Sequence, residues 1–227
     1  MDKFKFYILK IHLDCNDVSN LLTANNDEFY GIKFIKEDQN YLKFNFYERK
    51  ILETTYIDKN FNEQVIEHLK TDDFHFYIFN YGSISFLALE NPSRNISFFK
   101  NFLSQKLDNK ISVIGIELNP LALFEFLRDI KDLNFTVASL EVKDLQLSTS
   151  TIATLTMKSS ENLFSIFQDF LQTDKYIVSK TILMSSSKFK GKLLLSNDCS
   201  LSLQIHQQDE FLDLFLLFLR THLNQNQ

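Results

Sequence analysis

The chain has 227 residues, 44% of them apolar and 23% charged, with a net charge of −5. That length suits one large or two small domains, and the balance excludes a disordered or fibrous protein. Four Gly and two Pro leave no room for collagen-like sequence or a long flexible linker.

In chain order, KFKFYILKIHL, with Phe4, Phe6, Ile8 and His12, has period-2 character and predicts a strand. DCNDVSNLLTANN is turn-rich and at most a short helix. YGIKFIKE and YLKFNFYE predict strands flanking a turn at 38–40, and ILETTYID pairs next. From Asn60 the period changes: Phe61, Val65, Ile66 and Leu69 share one face of a helix. FHFYIFNY and ISFLALE then form a hairpin around Gly82 and Ser83, and Asn91-Pro92-Ser93 interrupts. Ile96, Phe99, Phe102 and Leu103 mark a second helix, and ISVIGIEL reads as a central strand buried on both faces. Asn119 before Pro120 is a helix start, continued by LALFEFLRDI.

In the second half, FTVASLEVKDLQLS and TIATLTMK pair across Thr149-Ser150. Ser159 and Ser160 cap the helix ENLFSIFQDFLQ, and YIVSKTILM is a strand. KGKLLLSN and SLSLQIH close a hairpin around Asp198, and a helix near 208–222 ends the chain.

A shift of 68 residues lays Ser97, Phe99, Phe102 and Leu103 on Ser165, Phe167, Phe170 and Leu171, and the strand 84–90 on 152–158. Each half then reads strand-helix-strand-strand-helix-strand. The expected fold is α+β: two related ferredoxin-like (βαββαβ) units sharing a mixed or antiparallel sheet, with an apolar C-terminal helix. The expected halves are 1–110 and 111–227, as two domains or one continuous one. This arrangement by itself implies no function.

Four constellations carry candidate chemistry. Asp72, Asp73 and His75 enter a strand in which Asp73 and His75 share a face, a donor set for a divalent metal. An acidic turn explains the same residues. His12, Asp14 and Cys15 put a thiol near an imidazole, but strand alternation sends His12 and Cys15 to opposite faces. Lys188, Phe189, Lys190 and Lys192 form the concentrated basic segment, suited to phosphates and a stacked base, or to a solvated hairpin tip. In the terminal helix, Leu212, Phe215, Leu216 and Leu219 make one stripe. Leu214, Leu217 and Phe218 lie off it and need another cover, a second copy or a different protein.

Gly occurs at 31, 82, 115 and 191 alone, which excludes GxGxxG, and no GxxxxGK[ST], HExxH, GxSxG or EF-hand loop occurs. The acidic balance argues against a dedicated nucleic-acid binder. Cys15 and Cys199 lack ligand spacing and read as free thiols. MDKFKFYILKIHLD lacks a signal-peptide apolar region, and Phe211–Leu219 is too short to span a bilayer. A soluble cytoplasmic chain without cofactor, catalytic residues or metal is expected. The functional expectation is a non-catalytic interaction or scaffold subunit of a bacterial multi-protein assembly, one handling nucleic acid or defending against invading DNA. The alternative is a metal-dependent nuclease or related hydrolase using Asp72, Asp73 and His75.

Overall fold

The computed structural model describes residues 1–11, 15–59, 61–81, 84–93, 96–148, 150–170 and 176–225. Strand β1 (Asp2–Ile11) is followed by α1 (Cys15–Thr23). A meander of β2 (Tyr30–Glu37), β3 (Tyr41–Ile57), β4 (Glu63–Tyr81) and β5 (Ile84–Glu90) comes next, then α2 (Ser97–Lys106) and β6 (Ile111–Gly115). The chain continues through α3 (Pro120–Arg128), β7 (Phe135–Ser148), β8 (Thr151–Lys158) and α4 (Leu163–Phe170). It ends with β9 (Ile177–Ser185), β10 (Gly191–Ser196), β11 (Ser200–Ile205) and α5 (Gln208–Gln225). The strands form one 11-stranded sheet in the order β2-β3-β4-β5-β1-β11-β10-β9-β7-β8, with β6 beside β1.

This is not a pair of ferredoxin-like βαββαβ units. That fold splits each β-α-β unit, a helix joining two parallel strands with another strand between them, whereas β2–β5 and β9–β11 run as meanders in which strands consecutive in sequence are antiparallel neighbours. The expected helix with Phe61, Val65, Ile66 and Leu69 on one face does not form. Glu63–Leu69 belong to β4, which pairs with β3 from Tyr41↔Phe79 to Ile57↔Glu63. The ladder with β3 runs unbroken through Glu63–Leu69 and takes every second residue's backbone groups, and the apolar spacing of a helix is overridden.

The internal repeat fails as well. Strand β5 lies between β4 and β1, whereas its counterpart β8 ends the sheet and pairs with β7 alone. The sequence match reflects two Phe-rich amphipathic helices rather than equivalent places. ISVIGIEL is not central either: β6 is five residues long, and Ile114 is exposed. The turns expected at 82–83 and 149–150 fall wholly or partly outside the described residues, as do His12, Asp14 and Leu171.

The chain divides into two compact units, Tyr7–Ile114 and Met1–Phe6 with Gly115–Gln227. In the first, alternate residues of β2–β5 bury Ile32, Phe44, Phe46, Phe74, Phe76, Leu87 and Leu89. Val18 and Leu22 of α1, and Phe99 and Leu103 of α2, join the same cluster. The Phe99 ring lies 5.1 Å from Phe46, 5.1 Å from Phe74 and 5.0 Å from Phe76. Asn26 ties the α1–β2 connection to the sheet: its side chain donates to the Ile32 carbonyl and accepts from the Ile32 amide.

In the second unit, Leu183, Leu193, Leu195, Leu201 and Leu203 are buried on β9–β11. Helix α5 buries Phe211, Phe215, Leu216, Phe218 and Leu219, and Phe215 lies 5.0 Å from Phe6. Helix α3 starts as its sequence dictates, with Pro120 at its first position and Asn119 Oδ1 accepting from the Leu121 amide at 3.0 Å. Helix α4 differs. Asn162 Oδ1 accepts from the Phe164 amide, while Ser159 Oγ serves the Glu161 amide in the preceding turn. Among the described residues, no helix is long and apolar enough to cross a membrane.

Candidate functional site

Strand alternation gives β2–β5 a second face, opposite the phenylalanine core. On β3 the sequence Tyr41-x-Lys43-x-Asn45-x-Tyr47-x-Arg49 points to this face, while Leu42, Phe44 and Phe46 point to the other. Register places Lys43 opposite Tyr77, Asn45 opposite His75 and Tyr47 opposite Asp73. On the far side, Lys33 stands beside Asn45 and Lys36 beside Lys43, a bulge between Phe34 and Lys36 restoring the second lysine to this face.

Four cations lie over the tyrosine rings. Lys36 Nζ is 5.0 Å from the Tyr41 centroid and Lys43 Nζ 4.8 Å from that of Tyr77. Lys33 Nζ and the Arg49 guanidinium approach Tyr47 at 5.3 and 5.6 Å. Exposed contacts of this kind contribute ~0.5–1 kcal/mol each. Tyr41 meets Tyr77 edge-on at 5.6 Å. Glu90 organises the middle: its Oε2 accepts from the Tyr77 hydroxyl at 2.6 Å and Lys43 Nζ at 3.3 Å, and lies 3.4 Å from His75 Nδ1. Tyr47 is held differently. Its hydroxyl donates to the Asp27 carbonyl at 2.8 Å and passes over Gly31, where a Cβ would meet that hydroxyl at 2.7 Å. Glycine at 31 leaves the space the Tyr47 side chain occupies. At the turn end of these strands, Asp38, Asn40, Tyr41 and Asn80 line a cleft of about 360 Å³ with Ser19 and Leu42.

The second feature is a two-stranded arm. Pairing to β2 stops at Tyr30↔Glu48 and pairing to β5 at His75↔Glu90, yet β3 and β4 continue for nine pairs from Arg49↔Thr71 to Ile57↔Glu63. At ~3.3 Å per residue this ribbon extends ~30 Å. Both faces are solvent-exposed and both carry apolar side chains: Ile51, Leu69 and Val65 on one, Leu52, Ile66 and Tyr56 on the other, between 43% and 61% exposed.

The residues singled out from sequence are placed as follows. Asp73 and His75 share the tyrosine face, but Asp72 points away and pairs with Lys70 at 3.2 Å, and His75 is engaged with Glu90. No group of three His, Cys, Asp or Glu among the described residues is placed to hold a metal. Cys15 lies in α1 beside the undescribed His12 and Asp14. Cys199 is a free thiol in the β10–β11 turn, and burial pushes it well above the ordinary thiol range.

In the basic segment, Phe189 is 3% exposed and packs against Phe211 at 5.4 Å and Phe135 at 6.4 Å. Its ring is a core group, not a stacking surface. Lys188 pairs with Glu210 at 2.5 Å. Lys190 is exposed beside His206 and Gln208 at an opening of about 390 Å³, and Lys192 is half-buried. On α5, Phe218 is covered by this chain, 5.5 Å from Phe126, Leu214 is half-buried, and Leu217 is 52% exposed. The apolar surface expected of Leu214, Leu217 and Phe218 narrows to Leu217 and part of Leu214.

The tyrosine face and the arm were not singled out from the sequence. The signal for the face was the YxKxNxYxR alternation itself. The arm gave none, because its second strand carries a helical apolar spacing. The chain matches no known protein family and no curated protein.

Proposed function

We propose that the chain is a non-catalytic scaffold subunit that assembles with further copies of itself by stacking its β3–β4 arms. The carrying observation is the arm. An isolated two-stranded ribbon is marginal in water, and this one exposes apolar side chains on both faces. Such surfaces mark contacts with other chains.

Charge identifies the occupant. On one face Glu53 stands directly opposite Glu67, and no ion pair among the described residues compensates them. On the other, Lys50 stands opposite Lys70. Like charges directly opposite weaken a ribbon. Glu48 and Asp72 relieve the lysines at 2.9 and 3.2 Å, and each ammonium, with three donors, keeps capacity for a further carboxylate. The basic row of one copy therefore complements the acidic row of the next, with Leu52 and Ile66 packing near Val65 and Leu69. Stacked ribbons sit ~10 Å apart. Because the two contacting faces differ, the contact is heterologous and leaves a face open to another copy. We assign this scaffolding to a nucleic-acid-handling assembly, defence against invading DNA included, because the same unit carries the basic tyrosine face.

The test is sedimentation velocity over a range of protein and salt concentrations. Wild type should grow with concentration and dissociate with salt. Glu53→Lys with Glu67→Lys, and Lys50→Glu with Lys70→Glu, should each reduce assembly, and mixing the two variants should restore it. A wild type that stays monomeric, or a mixture that behaves as the sum of its parts, refutes self-stacking.

A further inference from the structure

We infer that the face of β2–β4 opposite the phenylalanine core binds a single-stranded nucleic acid, the bases on Tyr41, Tyr47 and Tyr77 and the phosphates on Lys33, Lys36 and Lys43. This goes beyond scaffolding and uses a different surface from the arm.

Three observations point to that ligand class. The chain is acidic overall, yet this face gathers Lys33, Lys36, Lys43 and Arg49 against Asp73 and Glu90, with Asp38 at its edge 3.8 Å from Lys36. A local excess of cations on an acidic protein is the requirement for phosphate contact. Next, each half-buried tyrosine has a cation within 5.6 Å of its ring centroid, so a base on a ring brings its phosphate to a ready charge. Lysine stems are flexible, and base–tyrosine stacking outweighs the exposed cation–π contact it replaces. Finally, the rings are anchored rather than loose: Tyr47 by the Asp27 carbonyl and Gly31, Tyr77 by Glu90, Tyr41 by the edge of Tyr77.

The geometry selects single strands. Tyr41 and Tyr47 are six residues apart on one strand, ~20 Å, along a half-buried face that the buried Phe79, Phe86 and Ala88 close at its β5 side. Bases in a duplex are already stacked and show no ring face to such a surface, whereas unpaired bases do. Asn45, between the tyrosines, donates through Nδ2 to the Phe74 carbonyl at 3.4 Å, and its amide oxygen and second amide hydrogen suit a base edge.

The experiment uses the full chain and fluorescein-labelled oligothymidylate, oligouridylate and a duplex of the same length, about 15 nucleotides. The chain has eight Tyr and no Trp, so its intrinsic emission reports the tyrosines directly. Both single strands, or one of them, should bind at low salt with quenching of tyrosine emission, the tighter identifying DNA or RNA. Tyr41→Leu should weaken binding about tenfold and reduce the quench, with circular dichroism unchanged. Lys33→Gln with Lys36→Gln should lower the salt slope by about 1.4, the value for two phosphates on a single strand. Failure of both single strands to bind overturns the inference. So does a duplex that binds equally well without quenching, or retention of wild-type affinity by both variants.

Discussion

Replacing Phe99 with Ala removes the ring on which α2 and the β3–β4 pair meet. Phe99 is 1% exposed and has three phenylalanine rings within 5.1 Å. Phe46 and Phe74 are cross-strand partners, so the hydrogen-bond ladder fixes their separation and the sheet cannot close over the void. Burial of a large apolar side chain contributes ~1.5–3 kcal/mol, and an uncollapsed cavity brings the usual Phe→Ala loss to ~3–5 kcal/mol. Loss of three ring contacts, at ~0.5–1.5 kcal/mol each, places this site at the upper end, ~5 kcal/mol. With a urea dependence of ~2 kcal/mol per molar, the midpoint should fall by ~2 M or more. Phe99→Leu refills most of the volume and should lose ~1–2 kcal/mol. Urea titrations followed by far-ultraviolet circular dichroism and tyrosine fluorescence measure both. A loss under ~2 kcal/mol for the alanine variant, or equal losses for the two variants, refutes close packing of α2 on this sheet.

The hydroxyl of Thr181, on β9, is fully buried and has no hydrogen-bond partner among the described residues. Thr181→Val keeps the shape and removes an unsatisfied donor, so it should raise stability by ~1–2 kcal/mol, read as a higher melting temperature; a destabilised valine variant would contradict this account. Asp198 supplies a pH test. Burial raises its carboxyl, but the hydrogen bond and charge of Lys5, aided by Ser200, outweigh that and hold it below its ordinary value of 3.8. Its stabilisation is therefore complete above the ordinary value and is lost as pH falls through the lower folded-state value. The melting-temperature gap between wild type and Lys5→Met should be widest above about pH 5 and should shrink toward about pH 2; a gap independent of pH would assign the effect to the lysine stem rather than the ion pair.

Local chemistry was legible wherever neighbours in sequence settle it. Asn119 and Pro120 start α3 because a side-chain oxygen and a fixed φ act within one turn. The alternation from Tyr41 to Arg49 divides β3 into an apolar face and a tyrosine–lysine face, since a strand has no other way to place them. The helical stripe of α5 was legible for the same reason, and Phe215, Leu216 and Leu219 are buried. Which residues beside that stripe are covered was decided by docking against α3, which buries Phe218 and leaves Leu217 in solvent.

Segment 61–69 shows the limit most sharply. Phe61, Val65, Ile66 and Leu69 fit a helix face, and β-branched residues among them fit a strand. Pairing with β3 resolved the ambiguity, because the register set from Tyr41↔Phe79 carries on through Glu63–Leu69 and gives them a partner strand that sequence spacing cannot reveal. Strand order lay beyond the sequence for a related reason. Apolar alternation says which face of a strand is inward but not which strand lies beside it, and the placing of β1 between β5 and β11 depends on contacts between residues nearly two hundred positions apart.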